Sequence, residues 1–406
     1  MYAMKKIFGI IFAFGILSGT SVKGQAWEQK QNYPVAAGAD GGVCFAIGDT
    51  IYVGGGLNSK QFRKYVPAND QWLSAGLLPG VLTDRSFGIG FTVDGKGYVG
   101  MGIDGFTKKN DMWEYDPATG SWTQKQNFPG MASDGFYVFV INNLAYIGAG
   151  EDPFTLQQYN AAYSFDPSAN VWTQLTDFPT SGVIYPFSFS INQKGYVSCG
   201  QNSLGTTTET FQYEPLLDVW TPKADYAGFD RQAGVSFVLD DLAYCGLGMN
   251  AVFLNDFYSY DPVNDLWLMA DTLPAPARSF PVAAVSGNSA FVGLGWSYSL
   301  TETYYKDWWK YSLSTGQDEM DERISRVEVY PNPVTDFLYV NVKENEKYSF
   351  EIMNILGDVI MRGELEGKEE KIELTNLSDG SYTILFRNEK YIQTEKFIKN
   401  GGLQEF

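Results

Sequence analysis

Three arginines and four aspartates are the charged residues whose types and spacing could build a ligand site. Arg85, Arg231 and Arg278 each stand thirteen residues before an aromatic residue of a recurring Gly-rich segment, so they share one place in a repeat. Guanidinium groups bind carboxylates through two parallel hydrogen bonds, and carboxylates accept hydrogen bonds from hydroxyl groups. The sequence therefore predicts a carboxylate- or sugar-binding site formed by these arginines and by Asp40, Asp84, Asp134 and Asp230.

The same residues also allow a structural interpretation. Asp84 adjoins Arg85 and Asp230 adjoins Arg231, so these charges could be solvated or could neutralise each other. No catalytic residue and no cofactor are predicted. The chain contains no histidine, which excludes serine-type triads, histidine zinc or copper sites and imidazole acid–base catalysis. No metal site is predicted, and no Asp-x-Asp-x-Asp-Gly calcium loop is present.

Charge and cysteine content limit the partners. The formal charge is −18 over 406 residues, which repels nucleic acid and anionic lipid headgroups. We therefore predict no nucleic-acid partner, whereas neutral or cationic partners stay possible. The three cysteines, Cys44, Cys199 and Cys245, fall within predicted strands and are interpreted as buried thiols.

The N-terminus has the pattern of an export signal. Lys5 and Lys6 precede an apolar run at residues 7–17, and small residues follow up to Gly24. Eleven apolar residues are too few to span a bilayer, so residues 1–24 are predicted to be a cleaved signal peptide. No later segment is apolar enough to be a transmembrane helix.

A repeat of about 48 residues fills the chain after the signal. An aromatic residue followed by a Gly-rich segment recurs six times, as YVGGG (52–56), YVGMG (98–102), YIGAG (146–150), YVSCG (196–200), YCGLG (244–248) and FVGLG (291–295). Internal repeats of this length indicate a solenoid or a propeller.

A Trp marks the end of each repeat except the last. Five units contain an aromatic residue, Pro two positions later and Trp seven positions later, as in YDPATGSW ending at Trp122. This is the pattern of a hairpin between two strands. The sixth unit reaches Tyr311 and has no such Trp, whereas Trp27 stands alone near the N-terminus. We therefore expect the N-terminal strand to complete the sixth unit and close a ring, which removes exposed sheet edges.

These segments resemble kelch repeats across residues 25–315. The resemblance implies an all-β fold, a six-bladed β-propeller closed by its N-terminal strand. We expect the Gly-rich strands to be the innermost ones, where Gly lets neighbouring sheets approach the axis, with Trp and Tyr filling the wider gaps outside. The seven charged residues above would then lie at the mouth of the central channel, where ligands of propellers gather.

The C-terminal part reads as a separate small domain. Residues 316–325 are polar and aperiodic and are interpreted as a linker. Residues 326–406 contain about seven short alternating segments, which predict a small β-sandwich. The YPNP start at Tyr330, the turn at 354–357 and the Lys-rich last strand resemble the type A C-terminal sorting domain of the Bacteroidetes type IX secretion system. This resemblance implies export by that machinery to the cell surface or the extracellular space.

Two functions are consistent with this pattern. The first is a ligand-binding module for a glycan or a protein, without bond-breaking chemistry. The second is a carbohydrate-active enzyme that resembles kelch-type sialic acid mutarotases, because mutarotation needs only the acid–base help that Asp or Glu can supply. Galactose oxidase shares the kelch ring but needs histidine copper ligands, and the boxes of sialidases do not match the DPATGSW turns.

Overall fold

The computed structural model describes residues 27–35, 38–57, 59–151, 157–313, 327–342, 347–354, 359–365, 367–387 and 392–400. The chain divides into two compact units, residues 1–313 and 314–406. The predicted signal peptide (1–24) and linker (316–325) lie outside the described residues. Strands dominate both units, which confirms the all-β prediction, and the described helical structure is the single 3₁₀ turn Pro67–Asn69.

The first unit is built from six four-stranded antiparallel sheets within the described residues, which we number in chain order. It begins with β1 (Trp27–Lys30). Sheet 1 consists of β2 (Gly42–Ile47), β3 (Thr50–Gly55), β4 (Gln61–Val66) and β5 (Gln71–Leu77). Sheet 2 begins with β6 (Ile89–Val93) and β7 (Lys96–Gly100). A separate hairpin of β8 (Ile103–Asp104) and β9 (Thr107–Lys108) follows, and β10 (Met112–Asp116) and β11 (Ser121–Lys125) complete the sheet.

The next two sheets repeat this plan. Sheet 3 consists of β12 (Phe136–Ile141), β13 (Leu144–Ala149), β14 (Ala162–Asp166) and β15 (Val171–Leu175). Sheet 4 begins with β16 (Phe187–Ile191) and β17 (Lys194–Ser198). A separate hairpin of β18 (Gln201–Asn202) and β19 (Gly205–Thr206) follows, and β20 (Thr210–Glu214) and β21 (Val219–Lys223) complete the sheet.

The last two sheets complete the first unit. Sheet 5 consists of β22 (Val235–Leu239), β23 (Leu242–Gly246), β24 (Asp256–Asp261) and β25 (Leu266–Thr272). Sheet 6 draws on both ends of the unit, because β1 forms its outer strand beside three later strands. The first two of these strands are β26 (Val282–Ser286) and β27 (Ser289–Gly293). A separate hairpin of β28 (Trp296–Tyr298) and β29 (Glu302–Tyr304) follows, and β30 (Trp308–Ser312) is the third strand.

The first strand of each sheet contacts the neighbouring sheets more extensively than the Gly-rich second strand does. β2 contacts β6, β6 contacts β12, and the series continues through β16 and β22 to β26, which contacts β2. The expectation that the Gly-rich strands are innermost is therefore wrong, because they are the second strands. Gly in the recurring segment serves a different purpose: a Cβ on Gly100 would lie 2.5 Å from the carbonyl oxygen of Asp111, next to the third strand.

Hydroxyl groups on the first strands tie neighbouring sheets together. Thr92 donates to the carbonyl of Ala46 at 2.6 Å, and Ser236 donates to that of Ser188 at 2.7 Å. Ser188 in turn donates to the carbonyl of Val138 at 2.9 Å. Backbone carbonyls that the sheets leave unpaired are satisfied in this way.

β1 pairs antiparallel with β30, with Trp27 opposite Tyr311. Trp27 is 3% exposed and packs against the rings of Tyr311 and Phe257 at centroid distances of 4.7 and 5.3 Å. Burial of a Trp at this position stabilises sheet 6 by several kcal/mol, on the order of the 3–5 kcal/mol that Trp truncations lose.

The second unit has its own core. A three-stranded sheet is formed by β31 (Val327–Tyr330), β32 (Phe337–Val342) and β35 (Glu369–Glu373). A four-stranded sheet is formed by β33 (Tyr348–Met353), β34 (Val359–Leu365), β36 (Gly380–Arg387) and β37 (Ile392–Lys399). Alternate residues such as Leu338, Val340 and Ile384 are fully buried in one cluster. None of the described helical segments is long and apolar enough to cross a membrane.

Candidate functional site

A ring of six residues stands one or two positions before the first strands, at the end of the sheets that carries the long loops. The ring alternates small and aromatic residues, as Gly41, Phe87, Gly135, Tyr185, Ala233 and Phe280. All six have φ between 50° and 76°. This left-handed conformation is uncommon for large side chains and concentrates at functional positions.

Backbone hydrogen bonds connect the ring from sheet to sheet. Phe87 N–H donates to Gly41 C=O at 2.7 Å, and Phe280 N–H donates to Ala233 C=O at 2.7 Å. Gly41 N–H donates to Phe280 C=O at 3.1 Å, which joins sheet 1 to sheet 6. Five of the six amides in the left-handed positions thus bond to the preceding sheet, and Gly135 is the exception among the described bonds.

The three aromatic rings meet at the centre of this ring. Centroid distances are 4.7 Å between Phe87 and Phe280, 4.9 Å between Tyr185 and Phe280, and 5.9 Å between Phe87 and Tyr185. The small residues make room for them, since a Cβ on Gly41 would lie 2.6 Å from Cδ1 of Phe87. We call these six residues, with Asp40 and Asp134, the axial cup; its three aromatic side chains are partly exposed.

Asp40 lies at the edge of the axial cup. It directly precedes Gly41 and is 4% exposed, and its Oδ1 has no hydrogen-bond partner among the described residues. Burial, together with the negative charge of Glu302, raises the pKa of this carboxyl to about 6. A carboxyl whose pKa is near neutral can act as an acceptor or exchange a proton in this range.

Asp134 occupies the equivalent position in sheet 3 and belongs to a charged network. The Tyr185 hydroxyl donates to Asp134 Oδ2 at 2.5 Å, and Lys108 Nζ lies 2.6 Å from Oδ1. Lys108 also contacts Glu151 Oε1 at 3.2 Å. Burial, followed by the charge of Asp134, raises the pKa of Tyr185 well above its ordinary value, so its hydroxyl stays protonated as a donor.

The three predicted arginines are fully buried and have internal partners. Both terminal nitrogens of Arg85 donate to Asp111, at 3.0 and 2.7 Å. Arg231 pairs in the same way with Asp256, and Arg278 with Asp307. A further bond from each arginine reaches the carbonyl that follows the second strand, namely that of Met101, Leu247 or Leu294.

These pairs join the segment before the first strand to the start of the third strand. The aspartates stand at the beginning of β10, β24 and β30, so each pair braces the loop between the second and third strands. Arg278 also lies 4.0 Å above the Tyr305 ring and Arg231 lies 4.9 Å from Tyr226. Of the two interpretations of the arginines, these contacts favour the structural one, although the partners are not the neighbouring aspartates.

Asp84 and Asp230 also have partners within the loops. Asp84 accepts from Thr83, Ser86 and Gly105 at 2.7 to 2.9 Å. Asp230 accepts from Thr206 and from Asn250. Their assignment to a ligand site stays a prediction, as it does for the other five residues, and of the seven Asp40 has the unpartnered oxygen.

The aromatic residues of the axial cup were not predicted from the sequence. Phe87, Tyr185 and Phe280 occur in alternate repeats and lie outside the Gly-rich segments, so no single repeat shows the pattern. Alignment of the six segments before the first strands would have shown the alternation of small and aromatic residues. No group of three His, Cys, Asp or Glu residues that could hold a metal ion occurs among the described residues.

The chain resembles known proteins in two separate parts. Residues 328–400 match the family described as secretion system C-terminal sorting domain. A stretch of 109 residues is 31% identical to the N-acetylneuraminate epimerases of Escherichia coli strain K12 and Shigella boydii serotype 4. That match covers 25% of this chain and 29% of each of these relatives.

A solved structure shares the fold of the first unit. The structure of YjhT matches with a TM-score of 0.61 at 19% identity, and the match covers 71% of this chain and 98% of that chain. At this identity the likeness concerns the fold. The sorting domain directs the protein through type IX secretion to the cell surface or the extracellular space. The first unit thus has a kelch-like β-propeller fold, and residues 328–400 match a type IX secretion C-terminal sorting domain.

Proposed function

We propose that this protein is a ligand-binding module of the cell surface or extracellular space that holds a glycan at the axial cup. The observations that carry the proposal are the meeting of three partly exposed aromatic rings and the unpartnered Oδ1 of Asp40, the residue that directly precedes Gly41 of the same ring. An aromatic face is electron-rich and packs against the C–H groups of a sugar ring. A buried carboxylate oxygen without a partner gains a hydrogen bond when a hydroxyl group arrives.

The proposal includes a propeller of six blades, closed by the N-terminal strand. It is supported by the six sheets, by the pairing of β1 with β30 and by the bond from Gly41 to Phe280. We further propose the limits given by the sequence: a signal peptide at 1–24, the propeller at 25–315, a linker at 316–325 and the sorting domain at 326–406. A closed ring holds the six cup residues at fixed distances, and this preorganisation lowers the entropy that is lost when a ligand binds.

A glycan array probed with the full chain tests this function. Loss of the bound glycans is expected in Asp40→Asn and in Phe280→Ala, which copies the residue of sheet 5 at this position. Phe106→Ala is the control, because Phe106 is a fully exposed aromatic residue outside the cup. Binding that survives both cup variants would remove the axial cup from consideration, and a failure of the array would shift the search to protein ligands.

The second candidate is a carbohydrate-active enzyme related to the N-acetylneuraminate epimerases. It is favoured by the 31% identity over 109 residues and by the raised pKa of Asp40, about 6, which suits a general acid or base. The arginines speak against a sugar acid, because Arg85, Arg231 and Arg278 already bind carboxylates of the protein. Proton NMR of anomer exchange in N-acetylneuraminate would decide: unaltered exchange on addition of the protein rejects this candidate.

A further inference from the structure

The six junctions between neighbouring sheets of the first unit are of two kinds, which differ at the outer, fourth strands. At four junctions the indole N–H of a Trp donates to the carbonyl of a residue four positions after the Trp of the preceding sheet. The donors are Trp72, Trp172, Trp220 and Trp267, and the acceptors are Gln31, Gln126, Thr176 and Ala224, at 2.8 to 3.3 Å. We call these four the bonded junctions.

A second hydrogen bond runs in the opposite direction at each bonded junction. The amide of the acceptor residue donates to a side-chain oxygen two positions before the Trp. The residues that accept it are Asp70, Asn170, Asp218 and Asp265, at 2.8 to 3.0 Å. The outer edge of a bonded junction is therefore closed by a pair of hydrogen bonds.

The junctions between sheets 1 and 2 and between sheets 5 and 6 lack the indole bond. Nε1 of Trp122 and Nε1 of Trp27 are buried and have no partner among the described residues. The preceding sheet has a β-bulge in both cases, where the pairing with the third strand skips Ala75 of β5 and Ala270 of β25. Each bulge directly precedes the residue whose carbonyl would accept the bond, and a bulge bends its strand. We call these two junctions the seams.

The seams keep their aromatic packing, so hydrogen bonding is what distinguishes them. Trp122 lies 5.1 Å from Phe62 and Trp27 lies 5.3 Å from Phe257, against 4.9 to 5.3 Å for the corresponding ring pairs of the bonded junctions. Sheet 2 also has Gly120 at the position of the accepting Asp or Asn. A buried N–H without an acceptor loses its bond to water and gains none. The seams are therefore weaker than the bonded junctions.

The two seams divide the first unit into two bodies. Sheets 6 and 1, which the bonded junction of Trp72 joins, form the end body, and sheets 2 to 5 form the middle body. We propose that the first unit opens locally at both seams, as two bodies, under conditions in which each body stays folded. Local opening of this kind follows the contacts that cost least to break.

Opening at the seams changes the axial cup, because the cup belongs to both bodies. Phe280 lies in the end body, whereas Phe87 and Tyr185 lie in the middle body. The contacts of 4.7 Å between Phe280 and Phe87 and of 4.9 Å between Phe280 and Tyr185 therefore cross from one body to the other. Separation of the bodies breaks both contacts and opens the channel axis. This device needs no ligand and is independent of the function proposed for the cup.

Hydrogen–deuterium exchange of the full chain, in urea below the unfolding transition, tests the seams. Equivalent backbone amides donate across five junctions: those of Phe87 and Phe280 cross the seams, and those of Tyr185, Ala233 and Gly41 cross bonded junctions. Protection factors of the two seam amides are expected to be at least about fivefold lower, the effect of one hydrogen bond, with the same dependence on urea. Equal protection of all five amides, or low protection at only one seam, would overturn the proposal.

A pair of matched variants tests whether the indole bonds make the difference. Trp220→Phe removes the indole bond between sheets 3 and 4, whereas Trp122→Phe removes an indole N–H that has no partner. The loss of ring volume is the same in both. Protection of Tyr185 in the first variant is expected to fall about fivefold further than protection of Phe87 in the second. Equal losses would overturn the assignment of the seams to missing hydrogen bonds.

Discussion

The indole nitrogen of Trp72 donates a hydrogen bond to the carbonyl oxygen of Gln31 at 2.8 Å and so joins sheet 1 to the strand that completes sheet 6. The amide of Gln31 donates in return to Asp70 Oδ1 at 2.8 Å. The same two-way contact links sheets that are continuous in sequence, as where Trp220 and Asp218 bind Thr176. The junction between the two ends of the first unit therefore has the same chemistry as most of its internal junctions.

Loss of the N-terminal strand is expected to destabilise the first unit strongly. Deleting residues 25–34 removes the buried Trp27 and the bonds of Gln31, and truncation of a buried Trp alone removes about 3–5 kcal/mol. All ten tryptophans lie between Trp27 and Trp309, so their fluorescence during urea unfolding measures this unit and not the second one.

Glu28→Ala is the control for this deletion, because Glu28 belongs to β1 but is exposed. Its unfolding midpoint is expected to match that of the unaltered chain. A deletion variant with an unchanged midpoint would show that sheet 6 does not need β1.

The buried arginines are expected to serve stability. Arg231→Met leaves the partly buried Asp256 without its partner and is expected to lower the free energy of unfolding by about 3 kcal/mol, the lower end of the loss for a fully buried pair. The double variant Arg231→Met with Asp256→Leu removes both charges, so it is expected to regain most of this loss. Urea unfolding followed by tryptophan fluorescence measures both effects. Equal losses in the single and double variants would argue against a buried ion pair.

The propeller was predictable because the same pattern recurs in its repeats. The sorting domain was predictable because its segments resemble a known domain. The Gly-rich segments and the Trp positions gave the six units, and the unmatched Trp27 gave the strand that β30 lacked. The order of strands within a sheet was predicted wrongly, because the Gly-rich strands were expected to lie nearest the axis, where Gly lets neighbouring sheets approach each other. The structure shows instead that Gly100 and Gly246 of these segments lie against the carbonyl oxygens of Asp111 and Asp256, at the third strand of the same sheet.

The raised pKa of Asp40 implies a specific pH dependence. Between about pH 4 and pH 6 the folded state holds the Asp40 proton more tightly than the unfolded state, because burial raises the pKa from 3.8 to about 6. The free energy of unfolding therefore falls as the pH rises through this window. Asp40→Asn removes the ionisation and is expected to be more stable than the unaltered chain above pH 7, by roughly 2–3 kcal/mol.

At about pH 4 both proteins carry a neutral side chain at this position, so their stabilities are expected to converge. Glu302→Gln is the matched comparison, because Glu302 is exposed and only adds to the shift at Asp40. A stability difference for Asp40→Asn that is constant from pH 4 to pH 8 would contradict the burial of an ionising carboxyl.

The three thiols are expected to resist modification in the folded protein. All three are free; Cys199 and Cys245 are buried, whereas Cys44 is half-buried and not fully buried as the sequence predicted. Desolvation raises the pKa of Cys199 to about 12 and those of Cys44 and Cys245 above their ordinary values. Thiolate is the reactive form, so reaction with a disulfide reagent at pH 8 is expected to be slow. In denaturant all three are expected to react at once, and fast reaction of one thiol before unfolding would place it at the surface.

The candidate site was less predictable than the fold because its residues come from different repeats. The arginines share a repeat position, which led to the prediction that they bind a ligand. In the structure each arginine pairs with an aspartate that sequence spacing alone does not reveal, such as Asp307 for Arg278.

Hydrogen–deuterium exchange of the full chain, with and without a glycan that the array identifies, tests the axial cup most directly. Protection is expected in the segments around Asp40, Phe87, Tyr185 and Phe280, whose amides line one ring. The turns between first and second strands, at the opposite end of the sheets, are expected to exchange as before. Protection confined to those turns, with the four cup segments unaltered, would contradict the account.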